Sequence, residues 1–537
     1  MNLSALPLPS ALQALVRRYG SNVPRPSSSH FADEDAAGLL QHEVDLADDS
    51  KSSSKSWTTA ASRLSNRRYL ASAALILLVI LLWLSRSSHG HFIRPLHAFK
   101  AQDAQFLYIL SPALYPSTEA CKSVLTAEIL HYPIPTMINL GLKENGEGME
   151  KFPDSERITI VVEYLKKLPD YADESLVILL GTSSAWFQLR PDVLLNRYYD
   201  VNRKAEERLA RDFGKRALKD GKIRQTVVFS AQNKCTSHEG HHPACYAVPE
   251  SPLLNGMHRA TAPRFLNIGS IVGPVKDLRT IFERAAQKAG EDKTADVQKV
   301  LSELFAEQEI QREITRRSKW SWMTRTWNSW FGGRDVLTGE ASRQVIDHLE
   351  GEFSELGMGL DYAGEIAVVT GEDVDNLVWK KYSSNSLPPE IAASMPPFWS
   401  VSGGADLPAQ QSWSDLDLLT DTRTSISPAL IVNDPSSEKN RAANIEPHTQ
   451  WWPKLWLQPF ARPLLGASVF LPVAAVASVV DNNGTQHTFW NPLTTMDKAG
   501  IRTADQDFVS WEDMCREEQE IKDIFLDDKG PWVNPAP

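Results

Sequence analysis

Hydrophobic and polar residues follow one another along the chain in the pattern of a layered α/β fold. Uninterrupted apolar runs at 106–110 and 176–180 are typical of strands that are covered on both faces. Between them, residues 158–168 have apolar positions at helical spacing, which predicts an amphipathic helix. Further strands are expected at 133–142, 225–231 and 264–273, and further helices at 121–130, 192–219, 277–289 and 294–317. This alternation predicts an α/β fold with a mostly parallel sheet and flanking helices.

The most apolar segment lies nearer the start of the chain, at 69–85. It carries no charge, and a helix of about 17 residues rises about 25 Å, enough to span a thin bilayer. The flanking basic residues are Lys51, Lys55, Arg63, Arg67 and Arg68 before the segment, and Arg86, Arg94 and Lys100 after it. By the positive-inside rule, this asymmetry predicts a single-pass type II membrane protein with a cytosolic N-terminus and a lumenal C-terminal part. A buried core helix is the alternative interpretation.

The regions on either side of this segment differ in composition. Residues 1–60 are rich in Ser, Pro, Ala and Asp and have no sustained periodicity, which predicts a disordered cytosolic tail. Residues 86–105 are expected to form a stem. Residues 106–330 then form the predicted α/β core, and residues 331–537 form an extension that completes the lumenal domain.

Cysteine usage agrees with a lumenal location, where disulfides persist. All four cysteines follow the apolar segment: Cys121, Cys235, Cys245 and Cys515. Cys235 and Cys245 enclose a short loop that also contains His238, His241 and His242. We predict a disulfide between these two cysteines, and a zinc site with the histidines is the alternative. The pairing of Cys121 and Cys515 stays open.

Charge and missing motifs narrow the functional class. The net charge of −11 gives no basic surface for nucleic acid, so we expect no nucleic-acid partner. There is no G-x-G-x-x-G after the first strand and no P-loop, which argues against dinucleotide-dependent enzymes and P-loop NTPases. No G-x-S-x-G motif supports a lumenal hydrolase. Asn483 begins an N-glycosylation sequon, Asn-Gly-Thr, in a segment with turn-forming residues.

The end of the strand predicted at 176–180 is the candidate ligand site. Open α/β sheets bind their ligands beyond the carboxyl ends of the strands. A nucleotide-sugar enzyme of this architecture normally has acidic residues there, because a divalent cation on the diphosphate requires charged oxygen ligands. This chain has Gly181, Thr182, Ser183 and Ser184 instead.

Five segments occur in an order that resembles a known family: FLYILSPALYPSTEACKSVLTAEIL, LVILLGTSSAWFQLRPDVLLNRYYDVN, QTVVFSAQNKC, RFLNIGSIVGP and FAEQEIQRE. The chain resembles a fungal type II membrane family that is similar to the glycosyltransferase domain of procollagen lysyl hydroxylases. The resemblance covers residues 106–317 and implies a GT-A-like, Rossmann-type fold. It also implies sugar transfer from a sugar nucleotide to a glycan or glycoprotein in the Golgi or ER, with Mn²⁺ and a UDP-sugar required if the protein is active.

The chain departs from the family pattern at the expected metal ligands. In such proteins an Asp-x-x-Asp motif follows the strand at 176–180, and those two positions are Gly181 and Ser184 here. A second acidic position corresponds to residues 296–298, Asp-Val-Gln, where the acid is missing or displaced. Asn267 and Gly269 match the family's Leu-Asn-x-Gly stretch, which lines the sugar-nucleotide pocket.

Two rescues of the metal site are conceivable from the sequence. Asp173 and Glu174 precede the strand at 176–180, but the extended chain places them at its opposite end, about 20 Å away. Arg190 could instead bind the diphosphate in a metal-independent mechanism. A separate alternative is that the motif lies elsewhere and the ligands are other residues, such as Asp296 or Asp361. If the pocket is otherwise intact, aspartates at positions 181 and 184 are expected to create Mn²⁺-dependent UDP binding.

Two functional hypotheses follow. The first is a Golgi or ER membrane glycosyltransferase-like protein with a degenerate metal site and weak or absent transferase activity. The alternative is a catalytically inactive glycan-binding or scaffold subunit, in a hetero-oligomer with an active glycosyltransferase of the same membrane.

Overall fold

The computed structural model describes parts of the chain between residues 104 and 527. The described residues are 104–112, 117–138, 154–181, 184–219, 223–235, 242–255, 262–291, 296–318, 355–370, 374–401, 411–433, 451–471, 475–481, 483–492, 500–515 and 518–527. The predicted tail and membrane span, and nearly all of the stem, lie outside them. No helix in the described part is long and apolar enough to cross a membrane. The span at 69–85 therefore stays a prediction.

The strands in the described part are numbered β1–β15 in chain order. They are β1 Gln105–Ser111, β2 Thr136–Met137, β3 Leu176–Leu180, β4 Ala185–Phe187, β5 Val227–Gln232, β6 Phe265–Pro274, β7 Met358–Asp361, β8 Ala367–Val369, β9 Leu377–Lys381, β10 Asp417–Asp421, β11 Leu430–Val432, β12 Ala475–Val480, β13 Gln486–Trp490, β14 Gly500–Thr503 and β15 Phe508–Ser510. Ten of these strands share one large sheet.

The α-helices in the described part are numbered α1–α11. They are α1 Thr118–Ile129, α2 Asp154–Lys167, α3 Pro191–Phe213, α4 Lys215–Lys219, α5 Pro243–Tyr246, α6 Val275–Glu291, α7 Val297–Ser318, α8 Pro389–Ala393, α9 Ala461–Phe470, α10 Trp511–Met514 and α11 Glu518–Phe525. Helix α3 begins where expected, because Pro191 occupies its first turn and the preceding residue is extended.

The large sheet has the strand order β15-β14-β2-β1-β3-β6-β5-β7, and β13 joins β1 and carries β12. Strands β1, β2, β3, β5, β7, β13 and β14 point the same way, and β6, β12 and β15 run opposite to their neighbours. The predicted α/β class with a mostly parallel sheet is therefore confirmed. Two smaller sheets, β4-β11-β8 and β9-β10, accompany it.

The position of strand β3 in the sheet explains why its sequence is a continuous apolar run. Its side chains alternate between two cores: Leu176, Ile178 and Leu180 belong to one core with helix α1, while Val177 and Leu179 belong to the other with helices α2, α6 and α7. Because helices cover both faces, all five residues of the strand are buried.

The structure differs from the sequence prediction at two elements. The helix expected over 192–219 is divided at Gly214, which has a positive φ of 83° and separates α3 from α4. Of the strand expected over 133–142, the structure describes residues 133–138, and among these only the two residues of β2 form a strand. Both differences arise because tertiary pairing and turn geometry decide the ends of elements, whereas the apolar pattern only marks their centres.

Two disulfides cross-link the described part of the fold, one between distant segments of the chain and one within a short loop. Cys121 in α1 is bonded to Cys515 after α10, with Cα atoms 6.2 Å apart, and both residues are buried in the core. Cys235 is bonded to Cys245, with Cα atoms 5.5 Å apart, as the sequence predicted. Such bonds fit an oxidising compartment.

Candidate functional site

The carboxyl ends of β1 and β3 meet where the strand order of the sheet reverses. From β1 the chain proceeds to β2 on one side and then to β3 on the other, so the two ends border a crevice of the kind in which open α/β sheets bind ligands. Pro112 and Gly181 follow these strands directly and line a common pocket of about 40 Å³. Arg157, in the first turn of α2, is the only charged residue in the described lining of this pocket.

Strand β6 bulges where it passes the end of β3. Its pairing with β5 skips residues 268–270. Asn267 stabilises the bulge, because its Oδ1 accepts a hydrogen bond from Gly269 N at 2.7 Å and its Nδ2 donates to Gln232 Oε1 at 2.6 Å. Gly181 N donates in turn to Gly269 O at 2.9 Å. The structure therefore brings three of the predicted site residues, Gly181, Asn267 and Gly269, into direct contact.

This close approach explains why residue 181 is glycine. A Cβ atom there would lie 2.4 Å from Ile268 O and 3.0 Å from Gly269 Cα, both of which are backbone atoms. Any side chain at this position requires β3 and β6 to move apart. An aspartate at position 181 would therefore not restore a metal site on the present backbone, contrary to the expectation from the resemblance.

We expect Gly181→Asp, alone or with Ser184→Asp, to lower the free energy of unfolding by about 1–3 kcal/mol or more and to create no Mn²⁺ site, because the substitution overpacks the backbone. Urea denaturation and Mn²⁺ titration of the full-length chain check this. Gly290→Asp is the matched control, since nothing lies within 4 Å of a Cβ built at that exposed position. A Gly181→Asp variant as stable as Gly290→Asp would contradict the steric account.

Ser184 lies on the other side of the loop and already has a carboxylate partner. Its Oγ donates to Glu119 Oε2 at 2.7 Å, and Glu119 Oε1 pairs with Lys122 Nζ at 3.0 Å. Lys122 is buried, so its ammonium partly neutralises the carboxylate of Glu119. Sequence reasoning missed Glu119. The available signal was its place in the first turn of the helix after β1, which begins at the same edge of the sheet.

The described residues do not fit a divalent cation at this site. No group of three His, Cys, Asp or Glu side chains that could hold a metal occurs among them. Asp361 accepts hydrogen bonds from the backbone N–H groups of residues 365–367, and burial raises its pKa to about 6 although those hydrogen bonds lower it. Asp296 accepts from Lys299 N and caps α7. Both alternative carboxylates are thus engaged by backbone N–H groups, and the residues that the structure describes offer no cluster of charged oxygen ligands of the kind that Mn²⁺ requires.

The structure engages Arg190 away from the pocket lining. Its guanidinium donates to the carbonyl oxygens of residues 395–397 at 3.0–3.1 Å. Burial lowers the pKa of Arg190 to about 10. These contacts anchor the segment before Phe398 to the start of α3, and a role for Arg190 on a diphosphate stays a prediction.

A different arginine lies at the crevice. Arg157 donates from Nη2 to Gly181 O at 3.0 Å. Sequence reasoning missed it, although helix α2 immediately precedes β3. The first turn of such a helix lies at the carboxyl edge of a parallel sheet, so a basic residue there was a usable signal.

The remaining predicted sites lie outside the crevice. His242 in the Cys235–Cys245 loop contacts Glu303 Oε1 through Nε2 at 3.0 Å, whereas His238 and His241 lie outside the described residues. The sequon at Asn483 is in an exposed turn between β12 and β13. Occupancy of this sequon stays a prediction.

Comparisons with known proteins assign no family. No protein-family model matches the chain, and no curated protein matches it significantly. The family resemblance therefore stays a hypothesis, and the functional interpretation rests on the geometry of the crevice between β1 and β3.

Proposed function

We propose that the chain is a GT-A-like protein of the secretory-pathway membrane that binds a sugar nucleotide at the crevice between β1 and β3 without a divalent cation. The observation that carries the proposal is the coincidence of three features at one point. The strand order reverses there, the segment that corresponds to the Asp-x-x-Asp motif begins there at Gly181, and among the described residues an arginine lies there without a cluster of carboxylates. Each feature by itself is common, but together they favour an anionic ligand over a metal.

We expect the rate of glycosyl transfer to be low. In a metal-dependent transferase the cation stabilises the departing UDP, a contribution of several kcal/mol to the transition state. Because the loop at 181–184 has no carboxylate, only hydrogen bonds and a basic side chain of the chain itself remain to stabilise the departing UDP. We therefore expect donor binding with slow or absent transfer to a glycan or glycoprotein acceptor.

The second candidate function is a non-catalytic glycan-binding or scaffold subunit beside an active glycosyltransferase. One observation favours it: Ser184 and Glu119 are committed to a hydrogen-bonded network with buried Lys122. Such a network stabilises the fold but leaves Glu119 partly neutralised and poorly placed as a general base.

The two functions differ in what the purified full-length chain binds and does in detergent. Calorimetric titration with UDP, with ADP and uridine as comparisons, tests binding; release of free UDP from UDP-sugars tests transfer or hydrolysis. The proposal expects saturable UDP binding with little turnover. Absence of binding by UDP and by all UDP-sugars tested at millimolar concentration would overturn it and favour the scaffold.

A further inference from the structure

We infer that the exposed cations at the junction of α3 and α4 bind an anionic glycan, one that carries sulfate, phosphate or carboxylate groups. The four residues are Arg211 in the last turn of α3 and Lys215, Arg216 and Lys219 in α4, and together they are named the 211–219 patch. All four are exposed. The inference rests on the proposed function for the choice of a glycan as partner, but it does not require nucleotide binding.

The 211–219 patch is strongly basic within an acidic protein. Residues 211–219 contain four basic residues and one acidic residue, Asp212, whereas the whole chain has a net charge of −11. Several cations side by side create a local positive field that attracts polyanions and raises their rate of association. Because neighbouring cations repel one another, an anionic partner also relieves that repulsion when it binds.

Ion pairs within the protein do not account for these cations. Earlier in α3, Arg203 pairs with Asp200 and Glu207. Lys204 likewise pairs with Asp200 and Glu365. In contrast, none of the four patch residues has an ion pair in the part of the chain that the structure describes. Their N–H donors are therefore directed to solvent, where a partner can bind them.

Helix stability does not account for the patch either. The carboxyl end of a helix has a partial negative charge, so Arg211 suits the last turn of α3. Lys215, however, is the first residue of α4, where the helix dipole disfavours a cation. Gly214, with a positive φ of 83°, turns the chain between the two helices, so that the cations of both helices collect at one junction.

The 211–219 patch begins at the edge of the sheet that also holds the crevice. Arg208, about one turn before Arg211, has its guanidinium carbon 5.5 Å from the ring centroid of Tyr362, and Tyr362 directly follows β7. Because β7 and β3 point the same way, their carboxyl ends lie at one edge. In the order β3-β6-β5-β7, the two strands are about 15 Å apart. A glycan of a few sugar units on the patch can therefore extend along this edge towards the crevice.

Other polyanions fit the patch less well. A helix that binds a membrane surface needs apolar side chains beside its cations, and the large hydrophobic residues that are exposed in the described part lie elsewhere, at 378, 395, 399, 480, 508 and 526. The predicted topology also places the patch in the lumen, whereas the negative lipid surface potential belongs to the cytoplasmic leaflet. The same location argues against nucleic acid.

The test compares Lys215→Gln/Arg216→Gln with Lys166→Gln/Lys167→Gln in the full-length chain in detergent. Lys166 and Lys167 in α2 are 55% and 59% exposed and each pairs with a carboxylate, so this control removes the same charge from paired positions. The probe is heparin, a sulfated glycan. Its binding is expected to weaken about tenfold or more in the patch variant and to stay within about twofold of the wild type in the control.

Added salt is expected to weaken heparin binding to the wild type more than to the patch variant, because the variant releases fewer counterions. Thermal melting checks that the variants fold, and Lys219→Gln, with an expected loss of about threefold, serves where the double variant does not. The inference would be overturned if the wild type failed to bind heparin at physiological ionic strength, or if a folded patch variant bound it within about twofold of the wild type.

Two further probes test the class of the partner. Patch-dependent binding of poly-glutamate or of phosphatidylserine vesicles, without such binding of heparin, would overturn the assignment of a glycan. UDP titration of the same wild-type sample tests the proposed function separately. Heparin binding without UDP binding would overturn the nucleotide site alone, whereas UDP binding without heparin binding would overturn this inference alone.

Discussion

Replacing both Cys121 and Cys515 with alanine is expected to lower the free energy of unfolding by about 6 kcal/mol. The two residues are 394 positions apart in the sequence. In the chain-entropy treatment, the restriction that a cross-link places on the unfolded chain grows with the logarithm of the enclosed loop. Both residues also lie in the main core, where removing buried atoms adds to the loss.

The second disulfide is the matched control for this prediction. Cys235 and Cys245 are only 10 positions apart, and the same treatment gives about 3 kcal/mol for alanine at both. Urea denaturation of the two double variants in parallel provides the comparison. Equal losses of stability in the two variants would contradict the account, because loop length and the burial of the cysteines both predict the larger loss for Cys121 and Cys515.

Replacing Arg312 with methionine is expected to lower the free energy of unfolding by about 3–5 kcal/mol, because it leaves buried carboxylates without a cation. Arg312 is 5% exposed and binds Glu309 at 2.6 Å and both carboxylate oxygens of Glu355 at 2.5–3.1 Å. It also donates to Arg224 O at 2.7 Å, which ties helix α7 to the entry of β5.

The loss caused by Arg312→Met has an expected pH dependence. Burial already raises the pKa of Glu309 while Arg312 is present, and removal of the arginine raises it further. A carboxyl group whose folded-state pKa lies above its unfolded value destabilises the protein as pH rises through that interval. The difference in free energy of unfolding between the wild type and Arg312→Met should therefore be largest near neutral pH and should become smaller as the pH falls.

Arg316→Met is the control on the same helix. Arg316 pairs with Glu313 at 2.7 Å and is 37% exposed, so the loss of this surface pair is expected to cost about 1 kcal/mol or less. Chemical denaturation at two pH values distinguishes the variants. A loss for Arg312→Met no greater than that for Arg316→Met would show that the buried cluster contributes little.

The centre of the sheet could be predicted from the sequence because strands such as β1 and β3 are covered on both faces. The apolar run at 176–180 corresponds to β3, and the helices that follow it were expected from their periodicity. The small sheet β4-β11-β8 could not be anticipated, since its three-residue strands are too short to show a period. Likewise, β13 and β14 join β1 and β2 by pairings that no local pattern encodes.

The sequence likewise predicts some residues of the candidate site and not others. Strand ends and matching segments predict Gly181, Asn267 and Gly269, and the structure brings them together because β3 and β6 are neighbours. Only closeness in sequence points to Arg190, and its side chain contacts residues 395–397 instead. Glu119 and Arg157 lie in the first turns of helices that begin at the carboxyl edge of the sheet, a position that only knowledge of the strand order connects with the loop.

The affinity of the full-length chain for UDP, measured with EDTA and then with excess Mn²⁺, tests the central claim most directly. A metal that bridges protein and diphosphate couples the two ligands by about 1–3 kcal/mol, or about 5- to 150-fold in affinity. With no carboxylate cluster among the described residues at the crevice, we expect measurable UDP binding in EDTA and a change of less than about twofold on adding Mn²⁺. UDP binding that requires Mn²⁺, or strengthens more than about fivefold with it, would contradict a metal-independent site.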